Sequence, residues 1–356
     1  MEQQNQHRRR PRYNGAYPKH FHEKYKELQP EKYGDTIEKV IRKGNTPAGM
    51  HRSICVREIL DFLQIKPGQK GLDATLGYGG HTEAMLKCLD SCGHIYGLDV
   101  DPIESEKTRS RLDGLGYGPE ILTVCHMNFA DIDRISAEAG PFDFILADLG
   151  VSSMQIDNPQ RGFSYKFDGP LDLRLDPTQG MSAAQRLARI SREELAGMLT
   201  ENSDEPYSQE IARAIVAAAR RGKPVDTTLK LRVAIEEALS ELPAENRREE
   251  VKKACARTFQ ALRIDVNNEF EVLYEFLEKL PAALSPGGRT AILTFHSGED
   301  RLVKQSFKEY RKAGVYSDIA KDVIRPDAQE CASNSRARSA KLRWAIRGEE
   351  AVTSVK

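Results

Sequence analysis

Four short apolar runs between residues 71 and 149, spaced by helix-like stretches, restrict this chain to a few architectures. Gly71-Leu72-Asp73-Ala74-Thr75 reads as a short buried strand, followed by a glycine turn and a helix over Thr82–Leu89. His94–Asp99 is a second strand, followed by a helix to about Leu112, and Ile121–Cys125 is a third. Phe142–Leu149 is a fourth, apolar nearly throughout, as in a strand covered on both faces. Strands alternating with helices in this way predict a parallel sheet. Upstream, Ile54, Val56, Ile59, Leu60 and Leu63 recur at helical spacing until Pro67-Gly68 stops the helix.

The pattern then changes. From about Met154 to Thr258 the chain reads as loops and helices without a clear strand, with the strongest helical pattern over Tyr207–Arg221. Glu245–Leu262 leads out of that region, and a further helix covers Asn267–Leu284. The turn Pro286-Gly287-Gly288 introduces an apolar strand, Thr290–Phe295, and Lys341–Ile346 is strand-like around Trp344. A parallel α/β domain interrupted by a helical insertion accounts for this order. It divides into a basic extension (1–47), a first part of the α/β domain (48–153), a helical insertion (154–258), a second part (259–347) and a tail (348–356).

Lys plus Arg equals Asp plus Glu at 53 each, so net charge favours no partner, but the distribution does. Residues 1–47 hold eleven Lys/Arg against six Asp/Glu, and Arg336, Arg338, Lys341, Arg343 and Arg347 form a second basic cluster. Such clusters suit phosphate contact as well as they suit a solvated surface. The six cysteines contain no CxxC pair, which predicts reduced thiols and no metal site. With neither a signal peptide nor an apolar run of membrane-spanning length, the expected compartment is the cytoplasm, with no membrane partner.

The turn after the first strand, Asp73-Ala74-Thr75-Leu76-Gly77-Tyr78-Gly79-Gly80-His81, lets backbone approach a ligand closely. The following helix offers free N–H groups to an anion. Asp99 ends the second strand, where an acid accepts hydrogen bonds from ribose hydroxyls. A dinucleotide fingerprint wants Gly or Ala in the third slot of this turn, and Thr82 occupies it here. Nucleotide binding is therefore favoured, without the residues alone deciding which nucleotide. Asp148 follows Phe144-Ile145-Leu146-Ala147 at the mouth of the same crevice, as a ligand-facing acid or as a turn former before Gly150 and Ser152.

Longer motifs carry a specific resemblance. Besides Asp73–His81 they are Asp148–Ser153, Arg161-Gly162-Phe163-Ser164, Asp168–Arg174, Arg257–Ile264, Thr294-Phe295-His296-Ser297, and Asn334 with Arg336–Arg343. Across residues 48–347 the chain resembles the MraW/RsmH family of bacterial 16S rRNA cytosine-N4 methyltransferases, or a paralogue of it with a basic N-terminal extension. The resemblance implies a Rossmann-like, seven-stranded methyltransferase fold dependent on S-adenosylmethionine (AdoMet), with an inserted α-helical domain. It implies AdoMet contacts from Gly79, Gly80, His81, Asp99, Phe129, Asp148 and Gln155. It also implies 16S rRNA or the small ribosomal subunit as partner and a target near the decoding centre. The oligomeric state stays open, a dimer being one option. This chain departs from the family in His51-Arg52-Ser53-Ile54, in Gly298 before Glu299-Asp300-Arg301, and in Asn334-Ser335.

Methyl transfer to an exocyclic amine needs an acceptor on the N–H, and Asp148 is the first candidate. Attack at ring carbon five would need a cysteine in a Pro-Cys turn, and none is present. His296 lines the base pocket or orders the late loop. Phe163 and Tyr165 stack on a flipped base or serve as packing anchors. Arg174, Arg263 and Arg301 contact phosphates or pair with Asp172, Asp265 and Asp300; Arg338 is a further candidate for RNA contact. The competing functions are an AdoMet enzyme for another RNA or a small molecule, and a non-catalytic RNA-binding assembly factor.

Overall fold

The computed structural model describes residues 53–349. The basic extension and the last residues of the tail lie outside that range.

Seven strands form one sheet: β1 (Lys70–Asp73), β2 (His94–Asp99), β3 (Leu122–His126), β4 (Phe142–Asp148), β5 (Leu284–Thr294), β6 (Tyr316–Ile319) and β7 (Lys341–Arg347). Their order is β3-β2-β1-β4-β5-β7-β6, and only β7 runs antiparallel to its neighbours. The chain winds outward from β1 in one direction and then from β4 in the other. The carboxyl ends of β1 and β4 therefore bound a crevice at the switch point, where open α/β sheets bind ligands.

The near-continuous apolar run of β4 still alternates in use. Phe142, Ile145 and Ala147 pack on one face with Leu273, Phe276, Leu277 and Leu280, while Phe144 and Leu146 pack on the other with Ile59, Met85 and Leu86. Helices α1 (Val56–Leu63), α2 (Gly80–Leu89) and α3 (Pro102–Gly114) supply the second face. After α4 (Ile132–Ala139) and β4, the chain leaves the sheet through α5 (Ser153–Asp157). A helical layer follows: α6 (Ala183–Leu187), α7 (Arg192–Ser203), α8 (Ser208–Arg220), α9 (Thr228–Ala238) and α10 (Ala244–Asn267). This layer has its own core, including Leu195, Leu199, Ile211, Ile215, Leu231 and Leu262. α10 runs unbroken through residues 258 and 259, so the second boundary of the insertion falls inside one helix. Asn268, left-handed at φ 49°, ends α10, and α11 (Glu269–Ala283) returns the chain to the sheet.

One expected strand boundary differs. β5 begins at Leu284, before Pro286-Gly287-Gly288, because that turn is a bulge within the strand. Phe142 pairs with Leu284 and Phe144 with Arg289, the slack being taken up at Gly287 (φ 73°). Strand β6 and helix α12 (Ser297–Lys312) did not stand out in the sequence. β6 has four residues on the sheet edge, and the apolar contribution of α12 to the core is Val303 and Phe307. A short helix, α13 (Ala328–Ser333), precedes β7. Among the described residues, no helix is long and apolar enough to cross a membrane.

Candidate active site

The carboxyl ends of β1, β2 and β4 place four aspartates around the crevice. Asp73 is buried at the end of β1; its carboxylate accepts the Thr82 hydroxyl at 2.6 Å and the Thr75 N–H at 3.1 Å. Thr82, the residue that breaks the dinucleotide fingerprint, thus has a task that Gly or Ala could not perform. Burial pushes the Asp73 carboxyl above the usual range, against these hydrogen bonds.

Gly79 opens α2 in the left-handed region (φ 78°), and that helix start has no side-chain cap. A Cβ on Gly79 would lie 2.7 Å from Thr108 Cγ2, and Thr108 is pinned by its hydroxyl's bond to the Gly77 carbonyl at 2.5 Å. A Cβ on Gly80 would meet Ser53 Oγ at 2.2 Å. Close packing thus favours glycine at both positions, and the uncapped first-turn N–H groups of α2 suit an anion.

Asp99 accepts the N–H of Gly77 at 2.7 Å on one oxygen and that of Asp101 at 2.8 Å on the other. Each oxygen keeps a second lone pair for a hydroxyl group. Burial pushes this carboxyl up to about 6, and the neighbouring charges of Asp101 and Asp73 add to the shift.

Asp148 ends β4. Its N–H donates to Thr75 Oγ1 at 2.6 Å, which ties the ends of β4 and β1 together. Its Oδ2 lies 3.5 Å from Nδ1 of the buried His81, whose Nε2 is 3.0 Å from the Ile54 carbonyl. Among the described residues its Oδ1 has no hydrogen-bond partner. Burial pushes Asp148 up to about 6; His81 opposes the shift, and Asp73 and Glu299 add to it. A carboxylate with one oxygen held and the other unclaimed can accept a proton or an N–H.

Gln155 sits in the first turn of α5, in a reciprocal cap with Ser152, and donates to Asp101 Oδ2 at 2.9 Å. Phe129 starts the short turn after β3 and packs edge-on against Phe276. Of the residues expected at the cofactor, Asp99 and Gln155 are thus joined through Asp101, and His81 and Asp148 face each other. Asp101 was not singled out from the sequence, and its partner Arg161 appeared there only as part of a motif, without a role. The Asp101-Pro102 pair is a helix-start signal that marks Asp101; it caps α3 through the N–H groups of Ile103 and Glu104.

The expected substrate-side residues are more scattered. Phe163 is buried in the helical core, with the Arg161 guanidinium 5.8 Å from its ring centre. Tyr165 packs edge-on against Phe259 and lines a cavity of about 540 Å³ with Arg232, Arg247, Arg248 and Lys252. Arg174 clasps Asp172 through two bonds, at 2.7 and 2.8 Å. Arg263 pairs with Glu269 at 2.8 Å rather than with Asp265, which pairs with Arg186. Asp300 holds Lys341 and Arg343 rather than Arg301. Helix geometry explains these choices, since a partner one turn away or across a packed layer outcompetes the sequence neighbour. Arg301 and Arg338 are exposed, and among the described residues neither enters an ion pair. In the second basic cluster, Arg336 pairs with Asp157, and Arg347 donates to the Leu284 carbonyl.

His296 is the N-cap of α12. Its Nδ1 accepts the Glu299 N–H at 3.4 Å, and its Nε2 lies 3.1 Å from Glu299 Oε1. The Glu299 carboxyl is held low despite burial, by His296, Arg263 and the Phe295 N–H. This arrangement orders the loop after β5.

A model of the MraW methylase family matches residues 48–347. The chain is 69% identical over 341 residues to "Ribosomal RNA small subunit methyltransferase H 1" of Lachnoclostridium phytofermentans, covering 96% of this chain and 93% of that protein. It is 67% identical over 349 residues to the protein of the same name from Agathobacter rectalis, covering 98% and 100%. A match over 96% of the chain necessarily reaches into residues 1–52, so part of the extension is shared. "Ribosomal RNA small subunit methyltransferase H" of Leptothrix cholodnii is 39% identical over 313 residues, covering 83% of this chain and 93% of that protein.

Proposed function

The chain belongs to the MraW methylase family, and from that premise we propose that it methylates N4 of a cytosine in 16S rRNA, near the decoding centre. At the coarser level it is a methyltransferase of small-subunit ribosomal RNA with S-adenosylmethionine as its cofactor. The observation that carries the finer reading is Asp148, with its Oδ1 buried and unclaimed at the crevice mouth.

The crevice fits this donor: an uncapped helix start suits a carboxylate, Asp99 suits ribose hydroxyls, and an acid-rich wall suits a sulfonium. Bound there, S-adenosylmethionine supplies a methyl group made electrophilic by its positive sulfur. Gly79, Gly80 and His81 would hold the methionine carboxylate through the first turn of α2. Asp99 would accept from the ribose. Phe129 would flank the adenine, and Gln155 would close the site through Asp101.

The amine nitrogen of cytosine shares its lone pair with the ring, which makes it a weak nucleophile. Asp148 Oδ1 would accept one amine N–H, localise that lone pair and orient it toward the donor. His81, anchored through Nε2 on the Ile54 carbonyl, stands with Nδ1 3.5 Å from the opposite oxygen and lines that side of the carboxylate. His296 shapes the adjoining loop as the cap of α12.

Residues 154–258 serve in this reading as the substrate-binding domain. Arg301 and Arg338 would contact RNA phosphates, with the basic extension adding to them; Arg174, clasped by Asp172, would shape segment 172–175 on the RNA-facing side, and Tyr165 would meet RNA at its cavity. Phe163 and Arg263, packed inside, would support the surface. The protein would work in the cytoplasm.

The test is to incubate the purified protein with labelled donor and unmethylated small subunits or naked 16S rRNA, then analyse nucleosides by mass spectrometry. N4-methylcytidine is the expected product. A methyl on carbon five or on another base would remove the N4 reading. Donor binding by calorimetry with no methylated RNA would favour the assembly-factor alternative.

A further inference from the structure

Arg161 and Asp101 form an ion pair sealed inside the protein, at 7% and 0% exposure and 2.7 Å apart. Asp101 reaches the donor side in two ways. Its Oδ1 caps α3, and its own N–H donates to Asp99, the ribose-facing acid. Its Oδ2 takes Gln155 as well as Arg161.

Arg161 reaches the other way. Its second terminal nitrogen donates to the carbonyls of Arg174, at 3.1 Å, and Leu175, at 2.8 Å. Immediately before these carbonyls in the chain stands Leu173, buried, with φ at +66°. That conformation is unfavourable for a branched L-residue and persists only where the surroundings impose it. They do so from both sides. The Leu173 N–H donates to the Arg161 carbonyl at 3.1 Å, and Asn267, at the end of α10, holds the Leu173 carbonyl and the Leu175 N–H. The clasped pair of Asp172 and Arg174 flanks the strained residue.

We infer that Arg161 is a positioning residue that couples the two halves of the site, so that donor seating at Asp99 and the shape of segment 172–175 favour each other. The inference rests on the function proposed above, in which that segment faces RNA. A ribose that orders Asp99 orders the Asp101 N–H, hence the carboxylate gripping Arg161, hence the Arg174 and Leu175 carbonyls that the guanidinium holds next to strained Leu173. The coupling is reciprocal: RNA that fits the held segment tightens the donor site by the same factor.

The test uses S-adenosylhomocysteine, which seats like the donor without turnover, and a 16S rRNA transcript. Calorimetry gives the affinity for S-adenosylhomocysteine with and without RNA in the wild type, Arg161→Lys and Asn267→Ala. The wild type should bind it at least about fivefold more tightly with RNA present, the lower end of ordinary coupling. Arg161→Lys should keep its affinity for S-adenosylhomocysteine alone and lose that factor; its kcat should fall with little change in the donor KM. Asn267→Ala loosens the same segment without touching Asp101 and should also lose the factor. A merely structural Arg161 would lower Tm and leave the factor unchanged, which overturns the inference; so does a wild type indifferent to RNA. If Arg161→Lys does not fold, an unchanged factor in Asn267→Ala overturns it as well. Wild-type methyl transfer is measured alongside. Its absence counts against the proposed function, whereas transfer without coupling removes only this inference.

Discussion

The donor crevice and the outer ion-pair network use the same residue types in opposite states. In the crevice, burial pushes Asp99 and Asp148 up to about 6, and Asp148 keeps one oxygen unclaimed. Elsewhere acids are clasped. Asp300 lies between Lys341 and Arg343 and is held below the usual range despite partial burial, and Glu194, on Arg186, is likewise held low. An unclaimed buried acid costs stability and retains a use for its proton; a clasped acid gives up that use for rigidity. The same open state recurs at buried Glu205 in the helical insertion, so the contrast marks Asp148 for chemistry through its position at the end of β4 together with its unclaimed oxygen.

Replacing one acid of each kind tests it most severely. Asp148→Ala should leave RNA binding close to wild type without lowering Tm, and should lower single-turnover methyl transfer by about 10²- to 10⁴-fold, the usual loss for a proton acceptor. Asp300→Ala should do the reverse, lowering Tm by several degrees while folded molecules keep their rate. Normal single-turnover kinetics in the first variant would end the comparison.

A smaller effect is expected at the glycine cradle. Gly79→Ala must place a Cβ against the pinned Thr108 at a positive φ, and a left-handed L-residue costs about 1–2 kcal/mol. Donor affinity by calorimetry should fall roughly tenfold. Gly80→Ala meets only the rotatable hydroxyl of Ser53 and should lose much less. Equal losses would show that the backbone torsion is not what shapes the site.

The raised carboxyls also fix a pH dependence. Asp148 can take up the proton that the amine loses on methylation only when ionised, so at saturating donor kcat should fall as pH drops through about 6, approaching tenfold per unit below it. Donor affinity, measured separately, should weaken over the same range through Asp99. Stability runs in the other direction. A carboxyl raised in the folded state favours folding at low pH and loses that contribution as pH rises through about 6. Asp148→Asn should therefore melt higher than wild type at pH 8, keep part of that advantage at pH 5 and lose it only as pH falls below about 4, where the unfolded carboxyl also protonates. A kcat profile flat to pH 5 would show that Asp148 is not the titrating acceptor.

The two regions were unequally legible in the sequence. β1, β2 and β4, the turn at Gly79 and the acids at Asp99 and Asp148 were all readable, because strand periodicity and glycine torsions are local properties. Thr82 was visible only as a departure from a fingerprint; its bond to Asp73 needs the folded turn. The arginine partners were not readable. Arg161 meets Asp101 across 60 residues and Arg186 meets Asp265 across 79, distances over which residue spacing carries no information. Arg263 chose Glu269 because Asn268 breaks the helix and folds that acid back onto it. The short edge strand β6 was hidden for another reason: four residues, of which only Tyr316 is fully buried, leave too little periodicity to detect.

The smallest expected effect separates clasped from open cations. Arg263 is spent on Glu269, whereas Arg301 and Arg338 are exposed and, among the described residues, without an ion pair. An open cation that meets a phosphate releases counterions on binding, so its removal flattens the salt dependence of RNA affinity. Arg301→Ala and Arg338→Ala should each reduce the slope of log K against log salt by about 0.7 to 0.9 and weaken binding a few-fold, with Tm unchanged. Arg263→Ala leaves a buried glutamate unpaired, so it should lower Tm and leave the slope alone. If removing Arg263 flattened the slope as much as removing Arg301, pairing in the free protein would not predict which arginines meet RNA, and the distinction between spent and available charge would fail on the substrate side.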